Sequence, residues 1–241
     1  MLNKNEKQQK YEENLQKEWE EVFFDECTDN WQDKWILDGK IAEVINSDRG
    51  MELKAGPEWG EDAHHAVLWT KDYFKGDLKI EYEYTRLDEE NKGVNIIYIQ
   101  ATGEGEEPYT EDIMEWSDKR EVPAMSKYFN HMHTYHISYA ADPGKDNAYI
   151  RARRYTASGL ADTDIKPDYD PDGLFKTGEK HKITIIKSND RLFMNFAAET
   201  KELLCYWHNT EFPAIEEGYI GLRHMFTRSA RYKNFKISRI K

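Results

Sequence analysis

The 241-residue sequence predicts an all-β protein: antiparallel sheets packed as a sandwich or barrel, preceded by one short helix. Three observations carry this expectation. From Trp35 onward, segment after segment alternates apolar and polar residues at the period of two that a half-buried strand requires. Turn-forming residues separate these segments, and helical periodicity is confined to the start of the chain. There is no internal repeat and no linker, so residues 31–241 are expected to form one sandwich domain behind an arm covering residues 1–30.

The elements follow in order. Across K4-N-E-K-Q-Q-K-Y-E-E-N-L-Q-K-E-W19, Tyr11, Leu15 and Trp19 recur every four residues, which predicts a short amphipathic helix docked as an arm. W35-I-L-D-G-K-I-A-E-V-I45 reads as strand, turn, strand, with Asp38-Gly39 at the turn. Further strands are expected at residues 51–54, 65–70, 77–85 and 93–101. An acidic loop at 103–107 and a less regular stretch with Trp116 interrupt the series. Strands resume at 135–140 and 147–155, then at 180–187 and 191–196 around the turn S188-N-D-R191, and finally at 203–207, 218–225 and 230–240.

Composition bounds the function. Seven Trp, ten Phe and fifteen Tyr supply ample core material. The formal charge of −12, with no Lys/Arg block, argues against a nucleic-acid partner, although a local basic patch can still take an anionic sugar. No apolar run of spanning length and no secretory core are present, so no membrane partner is expected. The compartment is cytoplasmic, or periplasmic if a leader has been removed. Cys27 and Cys205 sit among large apolar residues and read as two buried thiols, with a disulfide as the alternative. An open sandwich edge permits a homodimer as well as a monomer.

The segment F129-N-H-M-H-T-Y-H-I-S-Y139 concentrates histidines. On a strand, His131 and His133 share one face while His136 points to the other, which weakens a three-histidine metal site. A second candidate metal site is D168-Y-D-P-D-G-L-F-K-T-G-E179. Its Asp168, Asp170, Asp172 and Glu179 match calcium-loop spacing, with Gly173 at the sixth position. Its flanks are not helical and Pro171 stiffens its middle, so a solvated turn is the competing reading. A structural Ca²⁺ is the one cofactor the sequence admits, and none is required.

The combination of H65-A-V-L-W69, H136-I-S-Y139, G218-Y-I-G-L-R-H-M225 and Y232-K-N-F-K-I237 resembles a bacterial family of concanavalin A-like sandwiches typified by YesU-like proteins of acidic-polysaccharide utilisation clusters. The likeness runs from about Trp35 to the C-terminus. It implies a jelly roll whose concave sheet binds carbohydrate. Sorting residues by strand alternation then puts Ile220, Leu222, Tyr135, Ile137, Tyr139, Ala66 and Leu68 in the core. His65, Val67, Trp69, His136, Ser138 and Arg223 fall on the groove side. This chain departs from its relatives at R153-R-Y-T156, where Arg153 and Tyr155 take groove-facing places beside Arg151.

Such a groove suits a uronic-acid-containing oligosaccharide. Arg153 and Arg223 would clamp the carboxylate with help from Asn95 or Asn195. Arg151, His133 and Trp69 complete the expected binding set. With the carboxylate held, the C5 proton becomes acidic; His136 is expected to remove it, and His65 or Tyr155 to protonate the group leaving C4. The activity expected is therefore a carbon–oxygen lyase or dehydratase giving a 4,5-unsaturated uronate. Two alternatives stand beside it. One is a glycoside hydrolase using Glu81 and Glu83, which lie two apart on a strand whose face the resemblance turns toward the groove. The other is a non-catalytic carbohydrate-binding module that stacks sugars on aromatics such as Trp69 and Trp116.

Overall fold

The computed structural model describes residues 2–143, 145 and 148–241; Asn147, where one strand was expected to begin, lies outside them. Helix α1 (Lys4–Leu15) starts at a capping box, in which the Asn3 side chain accepts from the Asn5 and Glu6 amides while Glu6 reaches back to the Asn3 amide. Such a cap contributes about 1 kcal/mol. Tyr11 is the helix's buried residue and packs on Phe193 at 6.0 Å between ring centroids. The helix ends before Trp19. That residue opens β1 (Trp19–Asp25), which pairs with the last strand of the chain, so the arm expected to end at residue 30 contributes a strand to the sandwich.

The remaining first-half strands are β2 (Trp35–Asp38), β3 (Glu43–Ser47), β4 (Gly50–Lys54), β5 (Ala66–Thr70), β6 (Phe74–Lys75), β7 (Leu78–Arg86) and β8 (Asn95–Gly103). A 3₁₀ segment (Ile113–Arg120) and helix α2 (Met125–His131) follow, so His131 ends a helix rather than sharing a strand with His133. Then come β9 (Met132–Ala141), β10 (Tyr149–Thr156), β11 (Asp164–Tyr169) and β12 (Lys180–Ser188). The chain closes with β13 (Arg191–Ala197), β14 (Glu202–His208), β15 (Glu217–His224) and β16 (Ser229–Ile240).

These strands make two antiparallel sheets. The first runs β14-β13-β12-β7-β16-β4-β3, with β1 added to β16; the second runs β11-β10-β9-β8-β15-β5-β2, with β6 added to β15. This is the antiparallel sandwich read from the sequence, in the jelly-roll form that the resemblance implies. The expected β2–β3 hairpin is absent, because the chain crosses from the second sheet to the first between them. Gly39 makes that crossing possible at φ +110°, where a Cβ would lie 2.7 Å from the His65 carbonyl oxygen.

Between the sheets, Leu68, Ile97, Ile137 and Leu222 of the second meet Leu53, Ile80, Ile185 and Ile237 of the first. Each such side chain contributes about 1.5–3 kcal/mol by burial. Cys27 and Cys205 are both free thiols in this core, which overturns the disulfide alternative. Among the described residues, no helix is long and apolar enough to cross a membrane.

Candidate functional site on the covered face of the second sheet

Strand register lays out the outer face of the second sheet in rows. One row reads Val67, Arg223, Ile96, Ser138, Arg151; the next reads Trp69, Gly221, Tyr98, His136, Arg153, Asp164. Tyr155 lies two residues beyond Arg153 on the same side of β10. Gly221 is needed because the Trp69 ring lies across it: a Cβ there would sit 2.5 Å from ring atom Cζ3.

The segment between β8 and β9 covers this face. Tyr128 of α2 stacks on Tyr98 with centroids 5.6 Å apart and planes 4° apart, and lies near-parallel to Trp69 at 6.3 Å. Asp38, expected at a surface turn, is instead the buried anchor of the cover. Its Oδ2 accepts from Trp69 Nε1 (2.7 Å), Arg120 Nε (2.6 Å) and Tyr128 OH (3.0 Å). With the cover closed, neither Trp69 nor Trp116 presents a face to a sugar. Trp69 is sealed beneath the cover, and Trp116 lies within it, packed on Tyr109 and donating to the Thr110 carbonyl.

Under the cover lies a polar cluster. Arg223 is fully buried, with its guanidinium carbon 4.6 Å from the centroid of the Tyr128 ring. Its Nη2 donates to His65 Nδ1 (2.5 Å) and to the Pro123 carbonyl (2.7 Å). Its Nε and Nη1 have no partner among the described residues, and no carboxylate there forms an ion pair with it. Because His65 Nδ1 accepts, its proton is on Nε2, and that donor is also unpartnered. His136 contacts Ser138 Oγ through Nε2 (3.4 Å) and leaves Nδ1 free. Its ring stacks on Tyr155 at 4.9 Å and 20°, and the buried Tyr155 hydroxyl is unpartnered too.

Burial, reinforced by Arg223, pushes the His65 pKa down to about 3. Burial and the charges of Arg153 and Arg223 hold His136 well below its ordinary value. Burial keeps the Tyr155 phenol protonated. At neutral pH the cluster is thus a set of neutral side chains around one uncompensated cation, and most of its free valences are donors. Leaving each such group unmet costs about 1–3 kcal/mol.

The structure places His65, His136, Tyr155 and Arg223 together under the cover. It disperses other candidates. Arg153 and Arg151 are on the right face but already neutralised, by Asp164 (2.7 Å) and Asp168 (2.6 Å) of the edge strand β11. Asn95 points into the sandwich core, where its Oδ1 is 3.3 Å from the Tyr84 hydroxyl. Asn195 lies on the other sheet and donates to Glu202 (2.7 Å). His133 lines a separate cleft of about 300 Å³ with Tyr73, Glu111 and Arg154.

Glu81 and Glu83 are on the outer face of the first sheet, across the core from the cluster. Burial raises both carboxyls, but Lys236 and Lys79 on Glu81, and Lys180 on Glu83, hold them net below their usual range. They form a surface lysine–glutamate ladder, with Lys236 at 2.9 Å and Lys180 at 2.6 Å, and do not face the groove.

The calcium-loop residues also separate. Asp168 pairs with Arg151, Asp172 with Lys201 (3.3 Å), and Glu179 lies 3.4 Å from His181, while Asp170 caps the Asp172 amide (2.8 Å). No group of three or more His, Cys, Asp or Glu among the described residues is arranged to hold a metal ion. The loop's acids do not fit a Ca²⁺ shell.

A family model described as a domain of unknown function, DUF1961, matches residues 26–237. The chain belongs to the DUF1961 family. No curated protein sequence matches it, so the YesU-like assignment has no named relative behind it. Among solved structures, this DUF1961 chain is similar to a Bacillus subtilis protein of unknown function with a galectin-like fold (TM-score 0.68, 16% identity, covering 93% of this chain and 100% of that one). It is also similar to the carbohydrate-binding module CBM66 from Bacillus subtilis (TM-score 0.51, 10% identity, 86% and 96% covered). A third similar structure is the exoplasmic/lumenal domain of VIP36 in a form bound to Ca²⁺ and Man3GlcNAc (TM-score 0.55, 12% identity, 84% and 82% covered). At these identities the likeness establishes the jelly-roll fold shared with DUF1961.

Proposed function

We propose that the protein binds an acidic saccharide on the covered face of its second sheet, with Arg223 receiving the carboxylate. The observation that carries this is the buried guanidinium with two unmet N–H donors and no acid partner. Nε–H and Nη1–H lie on opposite edges of the guanidinium, so a uronate carboxylate would meet one of them and supply the missing counter-charge, while a sugar hydroxyl or ring oxygen would meet the other. His65 Nε2–H and the Tyr155 hydroxyl add donors suited to sugar oxygens. Lectin-like and carbohydrate-binding neighbours support a saccharide in preference to another carboxylate. Entry requires the cover to lift from Arg223, because that side chain is sealed in the closed form.

A second reading, elimination on the bound uronate, is favoured by the stacked His136–Tyr155 pair. His136 Nδ1 would take the C5 proton, the C5 electron pair would form the C4–C5 double bond, and the C4–O bond would break. The Tyr155 hydroxyl would protonate the departing oxygen. A bound carboxylate opposes the arginine field on His136 and so raises its basicity when substrate is present.

Calorimetric titration with uronate oligosaccharides and their carboxyl-reduced counterparts tests the first reading. Binding of the acidic series alone, lost in Arg223→Met, supports it; equal binding of both series refutes the carboxylate clamp. Ultraviolet absorbance of an unsaturated uronate in the same mixtures tests the second. Binding with no such product leaves a binding module.

A further inference from the structure

We infer that Trp59 is a sugar-stacking platform at the margin of this site, taking the pyranose ring next to the one held at Arg223. The inference rests on the saccharide reading above and extends it to an accessory subsite. Trp59 is the only exposed tryptophan of the seven, at 56% exposure, whereas the others are buried or half-buried.

Its neighbours connect it to the cluster. Trp59 meets Phe226 edge-on at 5.2 Å, Phe226 lies on the His65 ring at 4.6 Å, and His65 holds Arg223. Lys92 Nζ lies over one face of the Trp59 ring, 4.7 Å from its centroid, so a stacking sugar takes the opposite face with that positive charge close by. The chain of contacts leads from solvent to the uncompensated guanidinium. A ring one aromatic side chain beyond His65 serves the neighbouring sugar of an oligomer, and Lys92 suits that sugar's carboxylate.

The platform is built rather than loose. The 55–64 loop is tied to the 225–228 turn by Ala55 N–H to the Arg228 carbonyl (3.0 Å) and Thr227 N–H to the Gly56 carbonyl (2.8 Å). Within the loop, the Glu58 amide donates to His64 Nδ1 (2.9 Å). Gly56 lets the His64 ring pack against the backbone, since a Cβ there would lie 2.6 Å from Nδ1. An aromatic held by a fixed loop loses little entropy when a sugar stacks on it.

The test is titration of the full chain and of Trp59→Ala and Trp59→Phe with mono- to tetragalacturonate and mono- to tetraglucuronate, alongside acrylamide quenching of tryptophan emission. The expected result is that Trp59→Ala weakens the tri- and tetrasaccharides roughly five- to tenfold and leaves the monosaccharides unchanged. Trp59→Phe should keep most of the affinity. The longer ligands should also shield the wild-type protein from quenching. If Trp59→Ala binds every length like wild type while Arg223→Met binds none, the platform is overturned and the Arg223 site stands. If the wild-type protein binds none of these ligands, both readings fall.

Discussion

Replacing Arg223 with methionine should make the free protein more stable while removing ligand binding. The guanidinium keeps two hydrogen bonds, to a neutral imidazole and a carbonyl, worth about 1.5–3 kcal/mol each with a charged donor. Against these stand the desolvation of a fully buried ion, several kcal/mol, and two unmet donors at about 1–3 kcal/mol each. Methionine fills similar volume and packs on the Tyr128 ring. The freed His65 can shift its proton to Nδ1 and donate to the Pro123 carbonyl, already 3.4 Å away. The balance favours methionine by about 2 kcal/mol, within the range found when buried ionic groups are replaced by apolar ones. For a domain of this size that is a rise in Tm of about 4–8 °C. Thermal and urea melts of Arg223→Met measure it. A loss of 2 kcal/mol or more would mean that the charge is already compensated in the free protein, and the argument for an anionic ligand would fail.

Acid should unfold the protein through its buried neutral histidines. His65 and His224, both pushed down to about 3 by burial and a neighbouring arginine, bind protons more readily when unfolded. Their contribution is full above pH 6.5 and is lost as pH falls toward 3. Between pH 6.5 and 4.5 the pair costs roughly 5 kcal/mol; a urea midpoint that stays flat over this interval would contradict it. Asp38→Asn should cost about 3–5 kcal/mol, because it strips the counter-charge from fully buried Arg120. Limited proteolysis should then cut first within residues 112–131, and an unchanged melt would show that the anchor is not energetic. Glu81→Gln and Glu83→Gln should leave saccharide binding intact, and the change at Glu81, the more buried and paired to both Lys79 and Lys236, should cost more stability than that at Glu83. A hydrolytic activity abolished by either change would reverse the site assignment.

The period of two made most strands readable, and alternation put His136 and Arg223 each on the outward side of its own strand, while their place on one face came from the family resemblance. Which sheet a strand joins is not local. Glu81 and Glu83 alternate correctly against Ile80 and Tyr82, yet β7 lies in the first sheet, so their face looks away from the cluster. Asn95 was recoverable: it shares parity with core residues Ile97 and Ile99 and so had to point inward. Asp38-Gly39 carried the signature of a hairpin turn, and nothing nearby in sequence announces that Asp38 meets Arg120 and Tyr128 more than eighty residues later. The tract beginning at Asp168 looked like a calcium loop because one edge-strand acid is followed by two acids of the next turn, Asp170 and Asp172, at the same spacing. Here Asp164 and Asp168 serve to pair arginines.

The distribution of charge is what motivates the proposed acidic ligand. The chain carries 46 acids against 34 lysines and arginines, so nearly any buried cation could have been given a carboxylate. Arg86 and Arg228 share Asp88, Arg120 has Asp38, and Arg151 and Arg153 have β11. Arg154, which keeps a little exposure, is met only by the Pro213 and Tyr155 carbonyls. Of the three arginines with no exposed surface, Arg120, Arg223 and Arg228, Arg223 alone has no carboxylate among the described residues. In a molecule so rich in acids, that vacancy is a stability cost that packing does not require. The negative surface meanwhile repels anions that lack specific donors to meet them. On the reading proposed above, the ligand presents a carboxylate to this guanidinium and oxygens to the His65 and Tyr155 donors. A single uronate residue carries both.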